Sequence, residues 1–194
     1  MHSFFLGLSR TMAYLGGLML VVLILLTCTS IIGRELNGVF HTMISNNVLP
    51  GVGRFFLDLG IGPVNGDFEL IEAGVAFAIF SFLPLCQITG GHATVDIFTS
   101  NLPVGVSRVL RMLSEVAFAF VLVLIAVQLV AGMQSKIRSG QTTFLIEFPL
   151  WWAYALSLVG AIAAAVVGVY MAIVRVGEVA TGHSLIPSEM GAEH

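Results

Sequence analysis

The chain has 194 residues, of which 57% are hydrophobic and 10% charged, and its formal net charge is −3. So few charges cannot cover the surface of a water-soluble globule of this length, and the lack of any Lys/Arg cluster excludes a nucleic-acid footprint and a polybasic membrane patch. The composition is that of an integral membrane protein surrounded by membrane lipids, with no nucleic acid among its partners.

The first expected span, 11–33, is the charge-free stretch between Arg10 and Arg34. At about 1.5 Å per residue it is long enough to cross a hydrocarbon core of about 30 Å. It exceeds a signal-peptide core and no Ala-x-Ala site closes it, so it reads as a retained span. Helical spacing continues through Ile32, Leu36, Val39, Phe40 and Met43, so the helix is expected to project beyond the bilayer until Asn46-Asn47 and Pro50 stop it.

In the segment 51–60, Val52, Phe55, Phe56 and Leu59 share one helical face opposite Arg54 and Asp58, the pattern of a short interfacial helix. A loop tucked against a partner would give the same pattern. Pro63 and Asn65-Gly66 break the chain before Asp67, read as the N-cap of a second span at 68–89. Glu69 and Glu72 in its first turns suit the positive end of the helix dipole and headgroup water; a partner or Arg34 is the alternative contact. Gly90-Gly91 is expected to end this span, and an amphipathic segment at 92–102 follows, with His92 and Asp96 on its polar side.

The third span, 112–134, begins where Arg111 and Glu115, four apart, are expected to neutralise each other. Gln128, deep in this span, is read as an interhelical hydrogen-bonding residue. The fourth, 149–174, starts at Pro149 and carries an interfacial belt of Trp151, Trp152 and Tyr154. Within it Gly160, Ala164 and Gly168 form a small-xxx-small stripe on which another helix can pack closely. The expected fold is all-α: an integral membrane four-helix bundle with short interfacial amphipathic helices, one transmembrane domain over 1–194.

The chemical readings are thin. No histidine lies in the middle of a span, so the axial ligands of a membrane cytochrome are missing, and His92 with Asp96 lacks the further ligands of a zinc site. The spans carry no histidine, lysine or carboxylate outside their end turns to act as base for a serine or cysteine, Cys28 and Cys86 read as apolar thiols, and no phosphate loop is present. Neither catalysis nor a cofactor is expected. Midplane ionisable groups and inverted repeats, the marks of a self-sufficient transporter, are also missing.

Three stretches in order carry a resemblance. GGHATVDIFTSNLP, between the second and third spans, resembles the His-x-x-Val-Asp segment and downstream Leu-Pro of the small membrane subunit of tripartite ATP-independent periplasmic (TRAP) transporters. IIGRELNGVF resembles that family's Gly-Arg segment, and TTFLIEFPLWWAYALSLVGA its Pro-Trp start of the last span. The chain departs from the family in having Thr89-Gly90-Gly91 where basic residues often precede the histidine, and a longer first loop, Arg34 to Asp67. The resemblance implies a scaffold subunit of an ion-driven symporter in the bacterial inner membrane. Its partners would be a large membrane subunit and a periplasmic substrate-binding protein, its solute small and carboxylate-bearing, and its termini both cytoplasmic. Positive-inside counting is tied for this chain, so orientation rests on the resemblance. The other class considered, a membrane anchor of a respiratory oxidoreductase, is disfavoured by the missing histidine ligands. Arg34, Glu72, His92, Asp96, Arg111, Glu115, Gln128, Pro149, Trp151, Trp152, Gly160, Ala164 and Gly168 are the candidates for structural or partner contacts, with no substrate or metal residue among them.

Overall fold

The computed structural model describes residues 2–90 and 104–181. Five helices follow one another: α1 (His2–Ser45), α2 (Pro50–Asp58), α3 (Asp67–Thr89), α4 (Val104–Ser139) and α5 (Leu150–Thr181). All but α2 are long and apolar enough to cross a membrane, and each contains or nearly coincides with one expected span. Among the described residues the only strand-like pairing is an isolated bridge, Thr142 with Pro149. The expected 92–102 segment, with His92 and Asp96, lies outside the described residues.

Packing runs as a row, α1 on α3, α3 on α5 and α5 on α4, with a slighter contact of α1 with α5. The inner helix α5 buries Ser157, Gly160, Ala161, Ala164, Val167, Gly168 and Met171 among others, whereas α1 and α4 flank the row and expose long apolar faces. Exposed Leu, Val and Ile side chains on those flanks suit a surface whose solvent is lipid.

The α1–α3 seam explains why these two helices pair. On α1, Ser9, Gly16, Leu23 and Ser30 are buried at intervals of seven; on α3, Asp67, Gly74, Ser81 and Ile88 are buried at the same interval. The registers mesh in opposite directions. A Cβ on Gly16 would meet Ser81 at 3.0 Å, Leu23 lies over Gly74, and Ser30 hydrogen-bonds Asp67. A seven-residue repeat keeps one seam in contact along a left-handed crossing, and small residues opposite Leu23 let the backbones approach.

Past Arg34, α1 continues for eleven residues, about 16 Å, to Ser45. Asn47 and Leu49 then take positive φ, 58° and 49°, and Pro50 opens α2, so the expected stop signals act where they were placed. The chain then returns antiparallel along α1: Gly53 sits against Phe40 and Ile44, Phe56 stacks on Phe40 at 5.0 Å, and Asn37 donates to the Ile61 carbonyl at 3.1 Å. The expected apolar face of α2 is therefore split. Phe56 packs on α1 while Val52, Phe55 and Leu59 remain exposed.

Candidate functional site

Polar side chains gather in two layers, one near each end of the packed helices. At the end holding the loops before α3 and α5, the Ser30 hydroxyl donates to Asp67 Oδ2 at 2.5 Å and accepts from the Val64 amide at 3.3 Å. Arg34 Nη2 lies 3.6 Å from the same carboxylate oxygen, with its guanidinium 6.0 Å from the Phe68 ring centroid. Asp67 was expected as an N-cap. Gly66 holds that position instead, with φ 75°, and Asp67, turned into the first helical turn, reaches α1. The glycine is required there: its left-handed backbone suits glycine, and a Cβ would strike Ile146.

Glu69 binds the α4–α5 loop rather than the solvent or Arg34 considered for it. Its two oxygens accept the Leu145 amide at 2.7 Å and the Ile146 amide at 3.2 Å. The loop is closed further by Thr143 N–H on the Phe148 carbonyl at 2.8 Å and Leu150 N–H on the Gln141 carbonyl at 3.1 Å. Glu72, one turn deeper, is exposed and makes no ion pair among the described residues.

At the opposite end, Gln87 of α3 donates its side-chain amide to Glu115 of α4, and both are buried, at 1% and 8% exposure. Arg175 of α5 bonds Glu178 at 2.7 Å and stands close enough to Glu115 to act on it electrostatically. The expected Arg111–Glu115 pair is thus corrected. Arg111 is exposed one turn nearer the helix end, and the buried carboxylate takes the donor that faces it across the helix interface. Gly90 ends α3 as expected, with φ 63°.

Gln128 is exposed, and the interhelical hydrogen bond expected of it is not made to another described residue of this chain. The inward stripe of α4 is Glu115, Ala119 and Leu122, continued by the half-buried Ala126, and position 128 falls off that face. Pro149 stands just before α5, where its carbonyl accepts the Trp152 amide at 3.1 Å. Trp151 and Trp152 lie beside each other, centroids 5.4 Å apart, with Trp152 also edge-on to Phe148.

The Gly160/Ala164/Gly168 stripe meets two helices in turn. A Cβ on Gly160 would lie 2.9 Å from Phe80 of α3, and one on Gly168 would lie 3.0 Å from Leu122 of α4. Between them Ala164 is fully buried, at 0% exposure, in a cluster with Leu122 and Ala165. Its packing partners are therefore helices of this chain.

Sequence reading passed over Ser30, Gln87, Arg175 and Glu178 and gave Asp67 a local role. A usable signal was present for Ser30 and for Asp67, which continue the seven-residue series Ser9, Gly16, Leu23 along α1 and Gly74, Ser81, Ile88 along α3. Cys28 is exposed and Cys86 half-buried, and no disulfide joins them. Among the described residues no three His, Cys, Asp or Glu side chains converge as metal ligands.

From Asp67 to Gln87 along α3 is a rise of about 30 Å, the thickness of a bilayer's hydrocarbon core, so the two polar layers are spaced as its boundaries. Apart from Glu69 and Glu72 in the first turns of α3, the space between them is free of charge: residues 11–33, 73–89, 116–135 and 148–174 contain no Asp, Glu, Lys or Arg. Comparison with curated proteins and with solved structures gives no match. Residues 23–177 match the family described as "Tripartite ATP-independent periplasmic transporters, DctQ component". That match reaches all four helices long and apolar enough to cross a membrane, α1 from Leu23 onward, and every residue of the two polar layers except Glu178; the chain belongs to the DctQ family, the small membrane component of TRAP transporters.

Proposed function

We propose that this small TRAP component is a fixed scaffold that braces a large membrane subunit while that subunit carries solute delivered by a periplasmic substrate-binding protein. The observation that carries the reading is the charge-free interior between two polar layers, whose described groups are spent largely on tying helices together. A secondary transporter holds its substrate and coupling ion near the midplane, where this chain offers no ionisable group. A moving element needs a stationary one, and a row of helices sealed by small-residue seams and anchored by Trp151 and Trp152 resists tilting. The chain performs no catalysis in this reading and takes no cofactor. The solute is a small carboxylate-bearing molecule driven by an ion gradient across the inner membrane.

The test is uptake into proteoliposomes holding the large subunit, the binding protein and either the natural chain or its His92→Ala/Asp96→Ala variant, normalised to assembled complex. The expected result is an unchanged half-saturating substrate concentration, with any loss confined to the amount of complex. Uptake by the small component alone, or an altered half-saturation at equal assembly, would overturn the scaffold reading.

We further propose that both termini are cytoplasmic, which puts the Ser30–Arg34–Asp67 layer, α2 and the α4–α5 loop at the periplasmic end. A cysteine engineered at Gly182 is expected to stay unlabelled by an impermeant thiol reagent in intact spheroplasts. Labelling there, with membranes shown to be sealed, would reverse the orientation.

A further inference from the structure

A groove of about 330 Å³ opens between α3, α5 and α4, lined by Glu72, Ala73, Ala76, Phe80, Leu129 and Tyr154. Its volume falls in the range of small-ligand sites, about 300–1,000 Å³. Polarity is graded along its length. The α4–α5 loop and Glu72 form the mouth, beside the Phe148–Trp152 aromatic cluster, and from Glu72 to Phe80 the floor descends about 12 Å through alanines and a phenylalanine. The alanines make the groove: larger side chains at 73 and 76 would fill the space between α3 and α5.

Glu72 sets the charge that the occupant must carry. It lies five residues inside Asp67, about 7.5 Å toward the bilayer interior, on the groove wall with Ala73 and Ala76 below it. A carboxylate at that depth is costly unless a cation meets it. Its neighbour Glu69 is committed to the loop amides, and the two ion pairs among the described residues, Arg34–Asp67 and Arg175–Glu178, do not include Glu72. Tyr154, whose ring is held against Gly132, adds a phenol to the groove wall.

We infer that this groove binds a phospholipid with an ammonium headgroup: one acyl chain lies along Ala73, Ala76 and Phe80, and the ammonium meets the Glu72 carboxylate. Lipid is the surrounding solvent of these helices. The apolar floor below two carboxylates at the aromatic belt, Glu69 held by the loop amides and Glu72 without an ion-pair partner among the described residues, matches an amphiphile with a cationic head rather than a water-borne solute. Anionic phospholipids, lacking the ammonium, would meet the carboxylate as a like charge.

The experiment places the full-length chain in bilayer nanodiscs of equal phosphatidylethanolamine and phosphatidylglycerol, then extracts it in mild detergent and counts retained lipid by mass spectrometry. Retained phosphatidylethanolamine is expected to exceed phosphatidylglycerol about five-fold, the preference that one interfacial charge contact sets. Glu72→Gln should bring the two lipids to parity without lowering total retention, and Ala76→Phe should lower both. Equal retention by the natural chain overturns the proposal whatever the variants do. An unchanged preference in Glu72→Gln overturns the assignment of the headgroup. A photoreactive residue at position 73 that crosslinks in native membranes to a protein instead of a lipid would show that a partner subunit fills the groove, and that too would overturn it.

Discussion

Replacing Ala164 with leucine is expected to break the α3–α5–α4 packing and remove most of the well-assembled protein. Ala164 is fully buried at the centre of the stripe, between the contact of Gly160 with Phe80 and that of Gly168 with Leu122. Helices in a bilayer gain no hydrophobic driving force from one another, because the lipid is as apolar as they are; close van der Waals contact is what they gain. Three extra carbons at a position without free space push the backbones apart along the whole seam, so the loss exceeds that of one side chain. Overpacking a tight core costs about 1–3 kcal/mol, which is a large part of the stability of a small domain. The measurement is the thermal unfolding midpoint in detergent together with the yield of monodisperse protein. Val166→Leu, on an exposed face of the same helix, is the control and should change neither. Equal midpoints for Ala164→Leu and the natural chain would mean that the stripe tolerates separation.

What could be read in advance follows from which features are local in sequence. Gaps in charge placed four spans, and the helices α1, α3, α4 and α5 contain or nearly match them, because burying a charge in hydrocarbon is costly wherever the helix sits. The Asn46-Asn47 and Pro50 stop, the Gly90 end and the Gly160/Ala164/Gly168 seam were legible for the same reason: each depends on a residue's own backbone or size. Partners of polar side chains were not. Spacing made Arg111 the natural companion of Glu115, yet Gln87 from α3 provides the donor, and Glu69 reaches a loop seventy-six residues away. Such pairings depend on the rotation of one helix against another, which the α1–α3 repeat of seven encodes only when both helices are laid side by side. Gln128, read as an interhelical hydrogen-bonding residue, lies off the stripe of Glu115, Ala119 and Leu122 that faces the other helices of this chain, and spacing alone does not say which helix a polar side chain in a span would meet. His92 and Asp96, the most conspicuous polar pair in the sequence, lie outside the described residues.

The largest single-residue effect in the polar layer of Gln87 and Glu115 is expected for Arg175→Ala. Arg175 bonds Glu178 at 2.7 Å and acts on Glu115 across the α4–α5 interface. Its side chain is 22% exposed and that of Glu178 is 5% exposed, so the pair is well desolvated. Removing one member of such a pair costs about 3–5 kcal/mol, chiefly because the remaining charge stays buried without compensation. Replacing both members with apolar residues of similar size removes that penalty, so Arg175→Met/Glu178→Met should recover much of what Arg175→Ala loses. Recovery should stop short of the natural chain, because Glu115 still lacks its positive neighbour. Adding Glu115→Gln to the double variant should close the remaining gap, as a neutral amide can keep a hydrogen bond with Gln87. Thermal midpoints in detergent across this series measure the order directly. If Arg175→Ala unfolds at the same temperature as the natural chain, the cluster is solvated, and this polar layer does not hold α4 to α5.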